Sequence, residues 1–485
     1  MMRLENPLFR RLPQQTHGKT VHTLLSERLR RAILSGVLSR GARLPSARAL
    51  AGELGLARGT VVSVYARLES EGYLSARGAA GSYVSESLPA RAKSAARPAH
   101  GSEAATVGLS ARPAALRPFQ VGVPAVDEFP IEAWSRLLAR ASRRASARDL
   151  AYADPLGAPA LRRAIASYLA VSRGVLARPE QVVVTAGYQG ALGLLCAAYS
   201  GPKARAWLEE PGYHLARAAL HLAGMRVSPA PVDAQGLDPE AAEATEPRPD
   251  LIFTTPSHQM PLGMPLSLAR RLQLLAFARR SGALIVEDDY DGEFHYDARP
   301  LPALASLAED APVIYAGTFS KVMFPALRLG YLVVPDSVRE RIQSTAASLA
   351  PASNFAVQIA VAEFLSEGHF ARHVRRMRRL YAERRAALLD ALAKHASSTL
   401  VVAPQQGGMH VLARFADGRR PGDVAVVRRA NELGLAPLPL SAYYQRPPRH
   451  GASGLLLGFA PTPARRFPSE VGLLQRAVRE SINSA

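Results

Sequence analysis

A lysine follows an apolar segment in T-F-S-K-V-M-F-P-A-L-R-L-G, which spans Thr318 to Gly330. The segment before it, V-I-Y-A-G, is typical of a buried strand. Thr318 and Ser320 offer hydroxyl groups beside Lys321, and Arg328 offers a planar guanidinium suited to a phosphate. An amine beside an anion cradle is what a Schiff base to a phosphorylated aldehyde requires, so pyridoxal phosphate (PLP) is the obvious candidate. A lone lysine here would be an ordinary surface charge, so the prediction depends on other motifs.

Two further motifs follow predicted strands. In T-A-G-Y-Q-G-A, small residues around Tyr188 and Gln189 let the backbone approach an anion at a helix N-terminus. In E-E-P-G-Y, the aromatic ring of Tyr213 could stack on a planar ligand, although core packing is the alternative. Both motifs are weak alone, but with the lysine segment they indicate one anionic, aromatic ligand.

The acidic segment V-E-D-D-Y-D-G-E-F, from Val286 to Phe294, follows an apolar strand and should be partly buried. Asp288 could keep a pyridine nitrogen protonated, because a nearby negative charge stabilises that cation. Tyr290 could donate to a ring phenolate. A solvated loop or a metal cluster is the alternative, but no cysteine or histidine pair nearby has ligand spacing, and His295 is predicted to be structural.

These motifs are positioned by apolar segments that alternate with helical ones, which predicts an α/β fold with a largely parallel sheet. In such sheets the ligand lies beyond the carboxyl ends of the strands. The predicted strands are 181–185, 206–209, 251–254, 283–287, 313–316 and 330–334.

The N-terminal segment has helical apolar spacing, and its short helices are separated by glycine-containing turns. Ser46 is a predicted N-cap, and two short strands around R-G-A-A-G form a predicted wing. Together they predict a winged helix-turn-helix. The predicted helices are 20–36, 46–54 and 58–71, and the predicted strands are 73–76 and 82–85.

The helix at 58–71 is the second of the two helices that form the helix-turn-helix, and it would be the recognition helix. Its polar residues Arg58, Thr60 and Ser63 are candidate base contacts, and Arg48 and Arg67 are candidate phosphate contacts. Residues 1–88 hold 13 Lys/Arg and 6 Asp/Glu, so this end is the more densely basic part of a chain of net charge +20. A basic N-terminal module indicates a polyanionic partner, most simply nucleic acid, and the predicted helix-turn-helix would bind it as double-stranded DNA. The alternative is that all proteins of the source organism are rich in arginine.

Length and composition indicate the number of domains, the class of protein and its location. The 485 residues allow two or three domains, and the apolar and charged fractions of 48% and 21% are those of a globular protein. No signal peptide is visible, no apolar run is long enough to span a membrane, and Cys196 is the sole cysteine. These features predict a cytoplasmic protein with no membrane partner.

An Ala/Arg/Pro/Ser/Gly-rich stretch at 89–118 is a predicted flexible linker.

The motifs resemble those of known families. The stretch from L-R-R-A-I-L-S-G to E-S-E-G-Y-L resembles the winged helix-turn-helix of GntR regulators. T-P-S-H-Q-M-P-L-G, E-D-D-Y-D-G-E-F-H-Y-D and G-T-F-S-K-V-M-F-P-A-L-R-L-G-Y resemble those of the MocR regulators, which fuse that head to a fold-type-I aminotransferase domain. The resemblance implies an α/β fold with a parallel-sheet-rich large subdomain and a smaller C-terminal α+β subdomain. We expect a DNA-binding domain at 1–88, the linker, and a PLP-binding, effector-sensing and dimerisation domain at 119–485.

The resemblance also implies roles for individual residues. Lys321 would form the Schiff base, Asp288 would pair with the pyridine nitrogen, and His258 would lie near the cofactor. Tyr152 would reach the phosphate of the partner subunit in a head-to-tail, domain-swapped homodimer. The other implied cofactor contacts are Tyr290 at the phenolic oxygen, Tyr213 on the ring, and Tyr188, Gln189, Thr318, Ser320 and Arg328 at the phosphate.

One departure from the aminotransferase pattern is informative. Aminotransferases place an arginine late in the small domain to hold the substrate carboxylate, and this chain has Gly454-Leu455-Leu456 there. Arg446 and Arg449 are candidate substitutes, but their spacing does not show such a role. We therefore expect a PLP-dependent transcriptional regulator that senses PLP, an amine or an amino acid, and is not an enzyme beyond partial transamination half-reactions. The alternatives are an active aminotransferase with a DNA-binding head and a basic, sequence-indifferent DNA-coating protein.

Overall fold

The computed structural model describes residues 20–86 and 116–483, apart from 202, 297–301, 309, 350–353, 404, 406, 417–421 and 447–450. The chain divides after Ser110 into two compact units, a small N-terminal one and a large one. Most of the predicted linker, up to residue 115, lies outside the described residues. Within the described part, no helix is both long and apolar enough to cross a membrane.

The N-terminal unit has three helices and a two-stranded antiparallel sheet. Its elements are α1 (Val21–Leu34), α2 (Ala47–Leu54), α3 (Arg58–Ser70), β1 (Leu74–Ala76) and β2 (Ser82–Val84). The Ser46 side chain accepts a hydrogen bond from the backbone of Ala49, and Gly55 ends α2 in the left-handed conformation. Leu29, Leu50 and Val64 are buried between the helices. The predicted helix-turn-helix and wing are confirmed within one or two residues at each end.

The large unit is built on an eight-stranded sheet and a smaller four-stranded sheet. Its strands are β3 (Val182–Thr185), β4 (Arg205–Glu210), β5 (Arg226–Asp233), β6 (Gly236–Leu237), β7 (Leu251–Thr254), β8 (Leu284–Asp289), β9 (Val313–Thr318), β10 (Gly330–Val333), β11 (Leu400–Val402), β12 (His410–Phe415), β13 (Leu438–Pro439) and β14 (Leu455–Gly458). Six of these strands correspond to the six predicted ones.

Helices of the large unit pack against both faces of the large sheet and against the small sheet. They are α4 (Ile131–Arg144), α5 (Pro159–Ser172), α6 (Gly187–Tyr199), α7 (His214–Leu222), α8 (Pro239–Thr245), α9 (Leu268–Ser281), α10 (Asp336–Leu349), α11 (Phe355–Ser366), α12 (His369–His395), α13 (Asp423–Glu432) and α14 (Phe467–Asn483). The resulting three layers form the α/β architecture that the sequence predicts.

The direction of the strands brings the predicted motifs to one edge of the large sheet. The strand order is β3-β10-β9-β8-β7-β4-β5-β6. Strands β9, β8, β7, β4 and β5 are parallel neighbours, and β10 runs antiparallel between β9 and β3. Strand β3 therefore points the same way as β9, and the carboxyl ends of β3, β4, β8 and β9 face the same side.

The smaller sheet, in the order β11-β12-β14-β13, is antiparallel throughout. Together with α13 and α14 it forms the C-terminal α+β subdomain. Leu455 and Leu457 of β14 face the same core as Phe467 of α14. Alternate residues of β14 therefore face opposite sides of this sheet, as the pleat of a strand requires.

Candidate functional site

Lys321 lies just past the carboxyl end of β9, in the wall of a cavity at the ligand-binding edge of the sheet. Its Nζ donates a hydrogen bond to the carbonyl of Gly122 at 2.7 Å. Burial lowers the pKa of Lys321, while the carboxylates of Asp291 and Asp288 act in the opposite direction. A lysine whose pKa is lowered loses its proton more readily and is then the amine form that attacks a carbonyl.

Gly122 faces Lys321 across the cavity, although the two residues are far apart in sequence. Its φ is +77°, and a Cβ atom built on it would lie 2.6 Å from Nζ. Any side chain at this position would displace the amine. The glycine therefore leaves room around Nζ. Its surroundings in the sequence, V-G-V-P, are not a distinctive motif, so Gly122 was not predicted.

The predicted phosphate ligands lie together in the wall of the same cavity. Helix α6 begins at Gly187, directly after β3, and its first turn contains Tyr188 and Gln189. The first backbone N–H groups of a helix have no acceptor within the helix, so they favour an anion. Arg328 adopts a left-handed conformation with φ +50°. The cavity residues predicted at the phosphate are Tyr188, Gln189, Thr318, Ser320 and Arg328.

Two tyrosines form an aromatic part of the wall. Tyr213 directly precedes α7, and its ring centroid lies 6.2 Å from that of Tyr188, with the ring planes 48° apart. Burial raises the pKa of Tyr213 to about 12. Its hydroxyl therefore stays protonated at neutral pH, and the ring offers an apolar face to a planar ligand.

Strand alternation directs the acidic residues of β8 to opposite faces. Asp288 faces the cavity, where it hydrogen-bonds Tyr188. Its Oδ1 is buried and has no hydrogen-bond partner within the described chain. Burial raises the pKa of Asp288 well above the usual range. A buried carboxylate oxygen facing a cavity without a partner indicates a ligand that carries a hydrogen-bond donor.

On the other face of β8, Asp289 belongs to a buried network that was not predicted from the sequence. Its Oδ2 lies 2.7 Å from Nε of Arg173 and accepts a hydrogen bond from the Tyr315 hydroxyl at 2.5 Å. Arg173 also donates to Ser257. This network anchors the end of β8 and thereby fixes the direction of Asp288.

Tyr290 lies in the cavity wall, and His258 lies behind it. The Tyr290 hydroxyl is 3.0 Å from the His258 carbonyl and 2.9 Å from His258 Nδ1. His258 is not part of the cavity wall but touches the cavity residues Tyr290 and Asp291. Asp291 and His410 line the cavity although neither was predicted to do so. Asp291 lies within the acidic motif, so its position in the cavity wall could have been predicted from that motif.

Two predicted features are not brought into the cavity. Tyr152 is fully exposed and does not line the cavity of its own chain. Arg446 pairs with Glu246 at 2.9 Å, and Arg449 lies outside the described residues. Leu456 is fully buried in an apolar cluster with Leu440 and others.

Four of the predicted DNA contacts lie on α3, and the fifth, Arg48, lies on α2. Arg48 and Arg58 are exposed, and Thr60 is partly buried. Ser63 is exposed, and its Oγ lies 3.2 Å from Nε2 of His22. The guanidinium of Arg67 pairs with Glu71 at 2.9 Å, so Arg67 would have to leave this partner to contact a phosphate.

Comparisons with known proteins cover both units. The model of the family "Aminotransferase class I and II" matches residues 118–430, and that of "Bacterial regulatory proteins, gntR family" matches residues 24–84. The first match spans more than half of the chain. It confirms the fold-type-I aminotransferase architecture, and the second confirms the helix-turn-helix.

Similar proteins include transcriptional regulators that match most of this chain. The probable rhizopine catabolism regulatory protein MocR of Rhizobium meliloti is 38% identical over 96% of this chain and 92% of its own length. The pyridoxine biosynthesis transcriptional regulator PdxR of Corynebacterium glutamicum is 34% identical over 88% of this chain and 89% of its own. Among solved structures, the α-aminoadipate aminotransferase LysN of Thermus thermophilus, complexed with N-(5'-phosphopyridoxyl)-L-leucine, superposes with a TM-score of 0.68. It is 30% identical and covers 76% of this chain and 93% of its own.

The residues of the cavity fit the cofactor of this family, pyridoxal 5'-phosphate. Asp288 has an unpartnered buried oxygen for a protonated ring nitrogen, Gly122 leaves space at the Lys321 amine, and the first turn of α6 can receive a phosphate. The comparisons establish that the chain belongs to the MocR family, in which a GntR-type helix-turn-helix is fused to a PLP-dependent aminotransferase-like domain.

Proposed function

We propose that this protein is a PLP-dependent transcriptional regulator. Its head binds promoter DNA through α3, and its large unit binds PLP through Lys321 and senses PLP itself, an amine or an amino acid. The observation that carries the proposal is the presence of Lys321, Asp288 and Arg328 in one cavity of a chain that also has a winged helix-turn-helix. The cofactor supplies an aldehyde to which primary amines add.

The cavity residues that would hold the cofactor have defined tasks. Lys321 presents an amine whose pKa is lowered by burial, and Asp288 holds a proton at the pyridine nitrogen. The Tyr290 hydroxyl donates to the phenolic oxygen, and Tyr213 covers one face of the ring. Arg328 and the first turn of α6 hold the phosphate. His258 acts from behind the wall, where it orients Tyr290.

We favour a sensor over an enzyme because the cavity is poorly equipped to hold an amino acid. Leu456 is buried in an apolar cluster at the position that we align with the carboxylate-binding arginine, and Arg446 is paired with Glu246. Full transamination binds two amino or keto acids in turn, and each would lack this clamp.

An active aminotransferase is the second candidate. The complete set of cofactor residues favours it, and a similar protein of Thermus thermophilus is a 2-aminoadipate transaminase, 32% identical over 76% of this chain and 92% of its own. Sustained turnover of an amino acid and a keto acid would support an enzyme. A single conversion that stops after one equivalent would support a sensor.

Ligand binding can regulate DNA binding only if the ligand binds more tightly to one arrangement of the N-terminal and large units than to another. We propose a head-to-tail, domain-swapped homodimer in which Tyr152 reaches the partner's cofactor phosphate. The exposed side chains of Tyr152 and Arg328 support this proposal, since a second chain could cover both. As a bacterial DNA-binding regulator, the protein would act in the cytoplasm, on the nucleoid.

The function can be tested by DNA selection. Sheared genomic DNA of the source bacterium is passed over immobilised PLP-loaded protein at physiological ionic strength, and bound fragments are sequenced. We expect enrichment of a few promoter fragments, which Arg58→Ala removes and the exposed large-unit change Arg465→Ala retains. Uniform recovery of all fragments, abolished by moderate salt, would instead identify a sequence-indifferent DNA-coating protein.

A further inference from the structure

Asp291 is a cavity residue without a role in holding the cofactor. It lines the cavity, is only 1% exposed, and neither of its carboxylate oxygens accepts a hydrogen bond within the described chain. Its charge acts on Lys321, so the carboxylate lies near the amine at which a ligand would react. A buried carboxylate without donors is costly unless a bound molecule supplies them.

The nearest polar neighbour of Asp291 does not satisfy it. Oδ2 lies 3.2 Å from Nδ1 of His258, and the same nitrogen lies 2.9 Å from the Tyr290 hydroxyl oxygen. The single hydroxyl hydrogen of Tyr290 is directed away from Nδ1, either to the His258 carbonyl, 3.0 Å away, or to the phenolic oxygen when PLP is bound. The Nδ1 hydrogen is therefore directed to Tyr290, and Asp291 keeps its capacity to accept hydrogen bonds.

The rest of the wall is unsuited to a carboxylate ligand. Among the described residues that line the cavity, Lys321 and Arg328 are the cations, and both are needed by the cofactor. His410 is uncharged at neutral pH because burial lowers its pKa to about 3. Met260 of the wall packs on the apolar cluster that contains Leu456.

We propose that the effector is a primary amine that lacks a carboxylate and carries a second hydrogen-bond donor, such as an ammonium or hydroxyl group, which Asp291 accepts. This inference rests on the proposed function and specifies the ligand class of the same cavity. The primary amine takes the place of Lys321 on the aldehyde carbon of the cofactor, so that one C=N bond forms as the other breaks and Lys321 leaves as a free amine. The second donor supplies the hydrogen that Asp291 lacks. An α- or ω-amino acid would place its negative charge beside Asp291 or the apolar wall.

A series of four-carbon amines tests the inference on the full-length, PLP-loaded protein. The probes are 1,4-diaminobutane, 4-amino-1-butanol, 1-aminobutane and 4-aminobutanoate, titrated while the visible absorption of the bound cofactor is followed. We expect the diamine and the amino alcohol to bind roughly 10- to 100-fold more tightly than 1-aminobutane, the range for a hydrogen bond to a charged group. 4-Aminobutanoate should bind most weakly. Tightest binding of 4-aminobutanoate, or equal binding of all four, would overturn the inference.

Asp291→Asn identifies the residue responsible. It should reduce the preference for the diamine over 1-aminobutane to within a few-fold, whereas the exposed change Asp390→Asn should retain the wild-type preference. An unchanged preference in Asp291→Asn would contradict the assignment. If Asp291→Asn does not bind PLP, the same titrations are made with the smaller variant Asp291→Ser, which should also lose the preference for the diamine. The wild-type titrations test the ligand class independently of either variant. Absence of a PLP absorption band in the wild-type protein would refute the proposed function itself, and a band without the predicted ranking would refute only this inference.

Discussion

The side chains of Lys321 and Asp288 define the chemistry of the large unit. Both face a cavity that is closed enough to shift their pKa values towards the neutral forms, because burial disfavours either charge. In the proposed complex, the protonated ring nitrogen of PLP would pair with Asp288 and its phosphate with Arg328. Asp288 and Arg328 would then bind a ligand that carries both signs of charge.

Replacement of Lys321 tests this arrangement most simply. Lys321→Ala should abolish the visible absorption band of covalently held PLP, because the variant offers no amine there to the aldehyde. The exposed change Lys394→Ala should retain the band. Absorption spectra of both variants after incubation with PLP and gel filtration provide the measurement. A band that persists in Lys321→Ala would assign the Schiff base to another lysine.

The sequence identified most cavity residues but not the surroundings of the lysine. Asp288, Tyr290 and Lys321 stand in distinctive motifs at strand ends, so their chemistry could be predicted. Gly122 lies 199 positions before Lys321, and only the fold brings the two together. Arg173 was missed for the same reason, since its pairing with Asp289 joins the end of α5 to the end of β8.

At the level of elements, the helices of the head were predicted closely because caps and glycines mark their ends. Strand β5 was missed because Pro229 and Pro231 interrupt it, and proline normally argues against a strand. The strand tolerates them near the edge of the sheet, where β6 pairs only with its last residues. The resemblance implied the C-terminal α+β subdomain, but the individual strands of its sheet were not located, since they are short.

Helix α3 and its neighbour α2 should contribute differently to DNA binding. Arg58, at the start of α3, is predicted to read bases, whereas Arg48 is predicted to contact a phosphate. Arg48→Ala should weaken specific and non-specific binding alike and reduce the slope of log Kd against log salt by about 1. Arg58→Ala should lower the ratio of specific to non-specific affinity by about 1–3 kcal/mol. Fluorescence anisotropy over a salt series distinguishes the two, and a reversal of these effects would contradict the assigned docking.

The loop after β4 depends on Glu209. This buried carboxylate accepts hydrogen bonds from Thr254, Thr255 and Gln259, which join the ends of two neighbouring strands. Glu209→Ala should destabilise the large unit by about 3 kcal/mol, because several buried donors lose their acceptor. Urea unfolding followed by circular dichroism measures the loss, with exposed Glu340→Gln as the control. A loss below about 1 kcal/mol would show that water replaces the carboxylate.

At the scale of the whole molecule, the proposed dimer predicts a shared cofactor site. Tyr152→Phe should raise the Kd for PLP about tenfold, because a hydrogen bond to the charged phosphate is lost. The variant should remain a dimer, and Tyr83→Phe in the wing should bind PLP as the wild type does. Sedimentation velocity gives the oligomeric state, and the visible band gives the Kd. A wild-type monomer at micromolar concentration would refute the shared site.

The central claim, that occupancy of the Lys321 cavity controls DNA binding, is tested most directly by one affinity measurement. The Kd for a fragment enriched in the genomic selection is measured by anisotropy with PLP-loaded and PLP-free protein, in the wild type and in Lys321→Ala. We predict that PLP changes the wild-type Kd at least fivefold, within the usual range of coupling energies of about 1–3 kcal/mol, and leaves that of Lys321→Ala unchanged. Identical wild-type affinities with and without PLP, and with the amines above, would contradict the account.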